Sequence, residues 1–283
     1  MTGGQRPLPE HHVMDEHEHG AASRSLSRSS ISVDGHPTTY HVAGAGDPVI
    51  LVHGLAGSSR WWRRNVPALA ARYRTYLVDL PRFGAMHGRG RFVLVEAAAW
   101  LVAWMRSAGL DHAHIIGHSM GGLIAIRLAA QQPDTVSRLV LTAPAGLPSA
   151  RSLAAHALPL LRAARHSKPG LLPLLAYDTA RAGPRTLWRA AQEIVSEDVR
   201  ADLAAIRSPT LVIMGENDPL VPPATGRILQ ERIADARLLV LKAAGHVVMF
   251  DQPDAFNRAV VPFLAGEPTP VADQPSGAGD VRH

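Results

Sequence analysis

An α/β fold built on one mostly parallel, doubly wound sheet follows from three features of the sequence. Short, nearly continuous apolar runs recur, as in Pro48-Val49-Ile50-Leu51-Val52, Val136 to Thr142 and Thr210-Leu211-Val212-Ile213-Met214. Such runs mark strands buried on both faces of a parallel sheet. Segments with helical spacing separate them, and this alternation is what winds helices onto both sides of a sheet. The third feature is the stretch Asp111 to Arg127, in which β-branched Ile115 and Ile116 enter Gly117-His118-Ser119-Met120-Gly121 and an Ala- and Leu-bearing helix leaves. At 283 residues and 46% hydrophobic content, the chain can bury one large core, so a single domain with an insertion is expected.

Residues 1 to 28 are polar and rich in Gly, Pro and Ser, with too little apolar surface to offset the entropy of ordering, and are expected to be a disordered tail. Order begins with Ser30 to Val33 and Thr38 to Val42 around Asp34-Gly35, a hairpin signal. Gly44-Ala45-Gly46 precedes a strand and lacks a third glycine, so it is no dinucleotide loop. After the strand Pro48 to Val52, helical spacing runs from Arg60 to Tyr73 with Pro67 as a kink. Tyr76 to Asp79 is the next strand, Phe92 to Ala108 an amphipathic helix, and Gly109 its stop. From Pro144 to Arg207 no strand-like run occurs, and prolines at 159, 169, 173 and 184 divide a Leu-, Ala- and Arg-rich segment into short helices, expected to form a lid. Strand texture returns at Thr210 to Met214 and Arg237 to Leu241, with helices at Gly226 to Ile233 and Asp254 to Leu264. The division expected is a core over 29–145 and 207–265, a helical cap over 146–206, and a disordered tail over 266–283.

The composition removes several function classes. No cysteine is present, which excludes disulfides, thiolate metal sites and cysteine nucleophiles. The net charge of +5 comes with arginine greatly outnumbering lysine and spread along the chain. Without a basic block, nucleic-acid binding gets no support. No apolar run approaches the roughly 18 residues of a membrane span, and the opening Met-Thr-Gly-Gly-Gln lacks a signal-peptide profile, so a cytoplasmic protein is expected. Four histidines stand among carboxylates between Glu10 and His19, but nothing there fixes a ligand geometry, and neither metal nor cofactor is expected.

Chemistry concentrates at the carboxyl ends of three strands. Gly117-His118-Ser119-Met120-Gly121 fits G-x-S-x-G, which projects a serine hydroxyl from a strained turn between strand and helix. The Met120 backbone N–H, opening the helix, would face a developing oxyanion. Asp218 and His246 follow at the ends of the next strands. A hydroxyl is a poor nucleophile at neutral pH; His246 would take the Ser119 proton and return it to the leaving group, while Asp218 would orient the imidazole. His53 and His118 are expected to support loops, as is Asp79, because it precedes Ser119 in the chain. Glu216 is the alternative acid.

From Ser30 to Leu264 the chain resembles the α/β-hydrolase family, through His53-Gly54-Leu55-Ala56-Gly57, Asp79-Leu80-Pro81, Gly117 to Gly122, Gly215-Glu216-Asn217-Asp218-Pro219 and Gly245-His246. The resemblance implies an eight-stranded, mostly parallel sheet whose second strand is antiparallel, a helical cap, and an oxyanion hole from the backbone N–H groups of Leu55 and Met120. Arg82 departs from the pattern, standing where glycine commonly follows Asp79-Leu80-Pro81, and puts the shape of that loop in question.

The leading expectation is a serine hydrolase that cleaves a small-molecule carboxylic ester through an acyl-enzyme, with Trp61, Tyr177 and Trp188 as candidate substrate-binding residues. The apolar lid suggests an acyl chain, although cap packing explains the same residues. Amide, lactone, thioester and carbon–carbon bond hydrolysis and cofactor-free perhydrolysis use the same machinery. A ligand receptor on a hydrolase scaffold and peripheral attachment to anionic membrane through the arginine-bearing cap are the readings from other classes.

Overall fold

The computed structural model describes residues 25–147 and 168–268, together with Ala155, Leu158, Arg162 and Ala163. The expected tails, the His-rich stretch and the break at Pro159 fall wholly or mainly outside the described residues. Strand β1, Ser27–Val33, starts earlier than its apolar residues suggest, because Ser27 already pairs with Val42 of β2, His36–Ala43. Asp34 (φ 48°) and Gly35 (φ 78°) make the two-residue turn between them, whose left-handed backbone matches the twist of the hairpin.

Six further strands complete the sheet: β3 Pro48–Val52, β4 Arg74–Val78, β5 Ala113–His118, β6 Val136–Thr142, β7 Thr210–Gly215 and β8 Ala236–Leu241. Their order is β1-β2-β4-β3-β5-β6-β7-β8. Strand β2 is antiparallel to both neighbours, and every pairing from β4 to β8 is parallel. Alternate residues enter two separate cores: Ile50, Val52, Ile115 and Val212 pack on one face, Val49, Leu51, Ile116 and Ile213 on the other. Each fully buried aliphatic side chain contributes about 1.5–3 kcal/mol. The strands read as continuous apolar runs because both faces are covered.

Helices connect the strands. The expected helix from Arg60 to Tyr73 is two pieces, a 3-10 turn Ser59–Trp62 and α1, Val66–Leu69. Tertiary partners override the spacing there: buried Asn65 spends its amide on the Met249 carbonyl (3.2 Å) and Asn257 Oδ1 (3.0 Å), and Pro67 can sit only in a first turn. Helix α2, Ala97–Ser107, is shorter than expected, with a 3-10 turn Leu94–Glu96 before it; Gly109 at φ 70° ends it. Helix α3, Met120–Gln131, follows β5 directly.

The described part of the cap holds α4, Leu172–Ala182, and α5, Pro184–Ser196, each with proline in its first turn. The cap is seated on the core by Leu94 N–H to Glu193 (2.7 Å) and an Arg127–Glu197 ion pair, while Val199 N–H to the Gly146 carbonyl (2.8 Å) ties the two ends of the cap together. Helices α6, Pro223–Arg232, α7, Val248–Asp251, and α8, Pro253–Leu264, complete the domain. No helix among the described residues is long and apolar enough to cross a membrane.

Candidate active site

Ser119 sits between β5 and α3 at φ 51°, ψ −114°. A non-glycine residue there carries strain on the order of 1–3 kcal/mol, and the surroundings hold it in place. Its N–H donates to the Thr142 carbonyl (3.0 Å), and its carbonyl accepts from Leu123 and Ala145 N–H (both 3.0 Å). The flanking glycines are dictated by close approach: a Cβ at Gly117 would collide with the Gly121 carbonyl, and one at Gly121 with the Val52 carbonyl.

Three side chains from three loops converge. His246 Nε2 lies 3.0 Å from Ser119 Oγ, and His246 Nδ1 lies 2.8 Å from Asp218 Oδ2. The partners assign the tautomer: Nδ1–H donates to the carboxylate, leaving the Nε2 lone pair toward the hydroxyl. Asp218 Oδ1 accepts from Leu220 N–H (2.8 Å) and Val221 N–H (3.1 Å), so the buried carboxylate is aimed by its own loop. Glu216 points elsewhere, accepting from Ala243 N–H at 3.1 Å in an exposed position.

The other polar residues hold the loops around these three. His53 Nε2 accepts from Leu80 N–H (3.1 Å) and its Nδ1–H donates to the Gly54 carbonyl (2.8 Å); burial pushes its pKa down, keeping it neutral. Asp79 accepts from Ser59 N–H (2.6 Å), Ser59 Oγ (3.2 Å) and Ala85 N–H (2.7 Å). His118 Nε2–H donates to the His246 carbonyl (3.0 Å), and burial, then the neighbouring His246, hold its pKa well below 6.5. Arg82 adopts φ 77°, the left-handed conformation a glycine would take freely, and its N–H bridges the Met86 (3.2 Å) and Arg89 (3.1 Å) carbonyls. It does not line the cavity over Ser119.

That cavity, of about 320 Å³, opens between core and cap. Ser119, His246, His118 and Leu55 line its core side, and Leu171, Leu172, Leu175, Ile194 and Val195 its cap side. Trp61 forms part of the wall, its ring centroid 5.8 Å from that of His118. Tyr177 and Trp188 are a correction to the sequence reading: they are 48% and 59% exposed, on the outer faces of α4 and α5, and do not line the cavity. Tyr177 stacks instead under Arg60, 4.7 Å from the guanidinium carbon to the ring centroid. Among the described residues no cluster of three or more His, Asp or Glu side chains could hold a metal ion.

Two buried carboxylates escaped the sequence reading. Asp178 of α4 accepts from Ser58 Oγ (2.7 Å), Arg60 Nη1 (2.7 Å) and Trp61 Nε1 (3.1 Å). Its one sequence signal was being the only acid in the apolar run Leu172–Ala182. Asp251 accepts from Gly245 N–H (3.0 Å) and Lys168 N–H (3.4 Å), bracing the His246 loop, and burial raises its pKa.

Comparison with known proteins agrees with this architecture. The model of the Alpha/beta hydrolase family matches residues 49–259. The pimeloyl-[acyl-carrier protein] methyl ester esterase of Neisseria meningitidis is 33% identical over 257 residues, covering 81% of this chain and 79% of that protein. The 2-hydroxy-6-oxo-2,4-heptadienoate hydrolase of Pseudomonas putida is 30% identical over 263 residues, covering 81% and 93%. Among solved structures, the enol-lactonase of Burkholderia xenovorans LB400 is similar with a TM-score of 0.73 and 26% identity, over 84% of this chain and 100% of that one.

Proposed function

The chain belongs to the α/β-hydrolase family, and we propose that within it this protein is a serine hydrolase that cleaves a carboxylic ester with an apolar acyl group. The observation that carries this reading is the continuous relay Ser119–His246–Asp218, with links of 3.0 and 2.8 Å, opening into a largely apolar cavity. Ester cleavage is also what one relative, the methyl ester esterase, is named for.

In the proposed reaction the Ser119 hydroxyl gives its proton to His246 Nε2 as Oγ bonds to the ester carbonyl carbon. The carbonyl oxygen becomes an oxyanion facing the N–H groups of Leu55 and Met120, donors of a kind worth about 3–4 kcal/mol each in the transition state. Collapse breaks the bond to the alkoxy oxygen, which takes the proton from His246 and leaves as alcohol. Water then loses a proton to His246, attacks the acyl carbon, and the second collapse returns the proton to Ser119 Oγ as the acid departs. Asp218 keeps Nδ1 protonated throughout and stabilises the transient imidazolium. No lysine or arginine lines the cavity among the described residues, which supports a neutral acyl group over an anionic one.

The test is a series of aryl esters from acetyl to long acyl, followed through burst and steady state with wild type and Ser119→Ala. Sustained turnover that disappears in Ser119→Ala is expected. Turnover surviving that change would overturn the nucleophile, and a burst with no turnover would replace the enzyme by a slow-turnover receptor.

A further inference from the structure

We propose that Asp178 is a positioning residue through which the docked cap sets the loop carrying Leu55 and Trp61, so that seating of the cap completes the site; this rests on the ester-hydrolase reading above.

The tetrapeptide Ser58-Ser59-Arg60-Trp61 is gripped by two buried carboxylates from opposite sides. From the core, Asp79 takes the Ser59 N–H and hydroxyl. From the cap, Asp178, with its side chain fully buried, takes the other three residues. Ser58 Oγ and Trp61 Nε1 share Oδ2, and Arg60 Nη1 occupies Oδ1. The Ser58 hydroxyl also accepts the Arg60 N–H (3.3 Å), so the same group that caps the turn reports to the cap.

This turn has two connections to the chemistry. Trp61 is a cavity wall against His118, the neighbour of Ser119. Upstream, the turn continues directly from the Leu55 loop, which Gly57 N–H closes onto the Gly54 carbonyl (3.1 Å). Asp79 alone leaves Ser58 Oγ, Trp61 Nε1 and the Arg60 guanidinium without their acceptor. If α4 lifts, the three lose their common partner together, and the two buried donors, Ser58 Oγ and Trp61 Nε1, must turn to water or to new acceptors, which frees the turn from the geometry that Asp178 imposes. Displacement of about 1 Å at an oxyanion donor is enough to cost about a hundredfold in rate.

The experiment compares full-length wild type, Asp178→Asn, Ser58→Ala and the control Thr179→Ala, whose residue is exposed on the same helix. Two readouts are taken: the single-turnover acylation rate with an aryl acetate, too small to need the cap wall, and amide hydrogen exchange over residues 54–62 and 172–182. Asp178→Asn is expected to slow acylation by about ten- to a hundredfold and to speed exchange in both segments, with the acid limb of the pH profile unmoved because His246 and Asp218 are untouched. Ser58→Ala, which keeps the carboxylate and covers the case in which Asp178→Asn does not fold, should move both readouts in the same direction by less. Thr179→Ala should move neither. Faster exchange confined to 172–182 with normal acylation would reduce Asp178 to a cap anchor and overturn the proposal. If wild type shows no acylation that depends on Ser119, the ester reading fails, and exchange over 54–62 still decides whether Asp178 couples cap to loop.

Discussion

Asp218 is fixed more tightly than a carboxylate merely near a histidine. Two backbone N–H groups hold Oδ1 as an acceptor, so only Oδ2 is free to face His246. In Asp218→Asn the amide oxygen must take the Oδ1 place, which aims the NH₂ group at His246 Nδ1. That turns the imidazole into the tautomer with hydrogen on Nε2, unable to accept the Ser119 proton. Turnover is expected to drop by up to about 10⁴-fold with the fold retained, whereas Glu216→Gln should leave it unchanged. Near-normal kcat in Asp218→Asn, beside an unchanged circular dichroism spectrum, would remove Asp218 from the relay. Arg82 is strained without touching the cavity. At φ 77° an L-residue costs about 1–2 kcal/mol, while glycine gives back about 0.4–1 kcal/mol through the greater freedom of the unfolded chain. Arg82→Gly should therefore raise stability by less than about 1.5 kcal/mol, seen as an urea midpoint shifted upward at constant slope. A lower midpoint would mean that the Arg82 side chain contributes more than the backbone strain removes.

At the scale of the element, what was legible in the sequence is what depends on neighbours along the chain. The strands, the Asp34-Gly35 turn, the Gly109 stop and the strand–turn–helix around Ser119 all announce themselves locally, and with them the three positions of the relay. What was not legible depends on distant partners. Helical spacing between Arg60 and Tyr73 was real, yet Asp178 and Asn257 bind the segment into turns from outside. Asp178 meets its partners 117 to 120 residues upstream, a pairing no window of sequence contains. Aromatic residues on the cap helices looked like pocket walls because residue type does not say which face of a helix is turned inward. The structure separates them, and activity should do the same. Trp188→Ala, at an exposed site, is expected to leave kcat/KM for every chain length within about twofold, since surface substitutions change little. Trp61→Ala, which opens the wall beside His118, should alter the acyl-length preference. Equal effects of the two changes across the ester series would sink this division.

For the whole molecule, covering a sheet on both faces has a consequence for pH. It buries histidines that stand outside the proposed relay. His114, on β5 and 8% exposed, packs edge-on against Tyr73 and is held at about 4 by burial; His53 and His118 are lowered for the same reason. Each is neutral in the folded chain and has the ordinary value of 6.5 when unfolded. Between the two values the unfolded chain binds the extra proton, so stability is intact above pH 6.5 and falls as pH drops toward the folded value. From a folded value near 4, His114 alone should remove about 2 kcal/mol by pH 5 and about 3 kcal/mol by pH 4. The carboxylate of Asp251 works in the opposite direction, because its raised pKa makes proton uptake easier in the folded chain, and it offsets part of this loss as the pH falls. The measurement is urea unfolding of wild type and His114→Asn at pH 7, 6 and 5. His114→Asn has no proton to gain, so its free energy should decline less steeply by about the 2 kcal/mol assigned to that site, whatever the substitution costs at pH 7. Parallel declines in the two proteins would show that His114 takes up its proton as readily folded as unfolded, and that the buried sheet is open to water at that position.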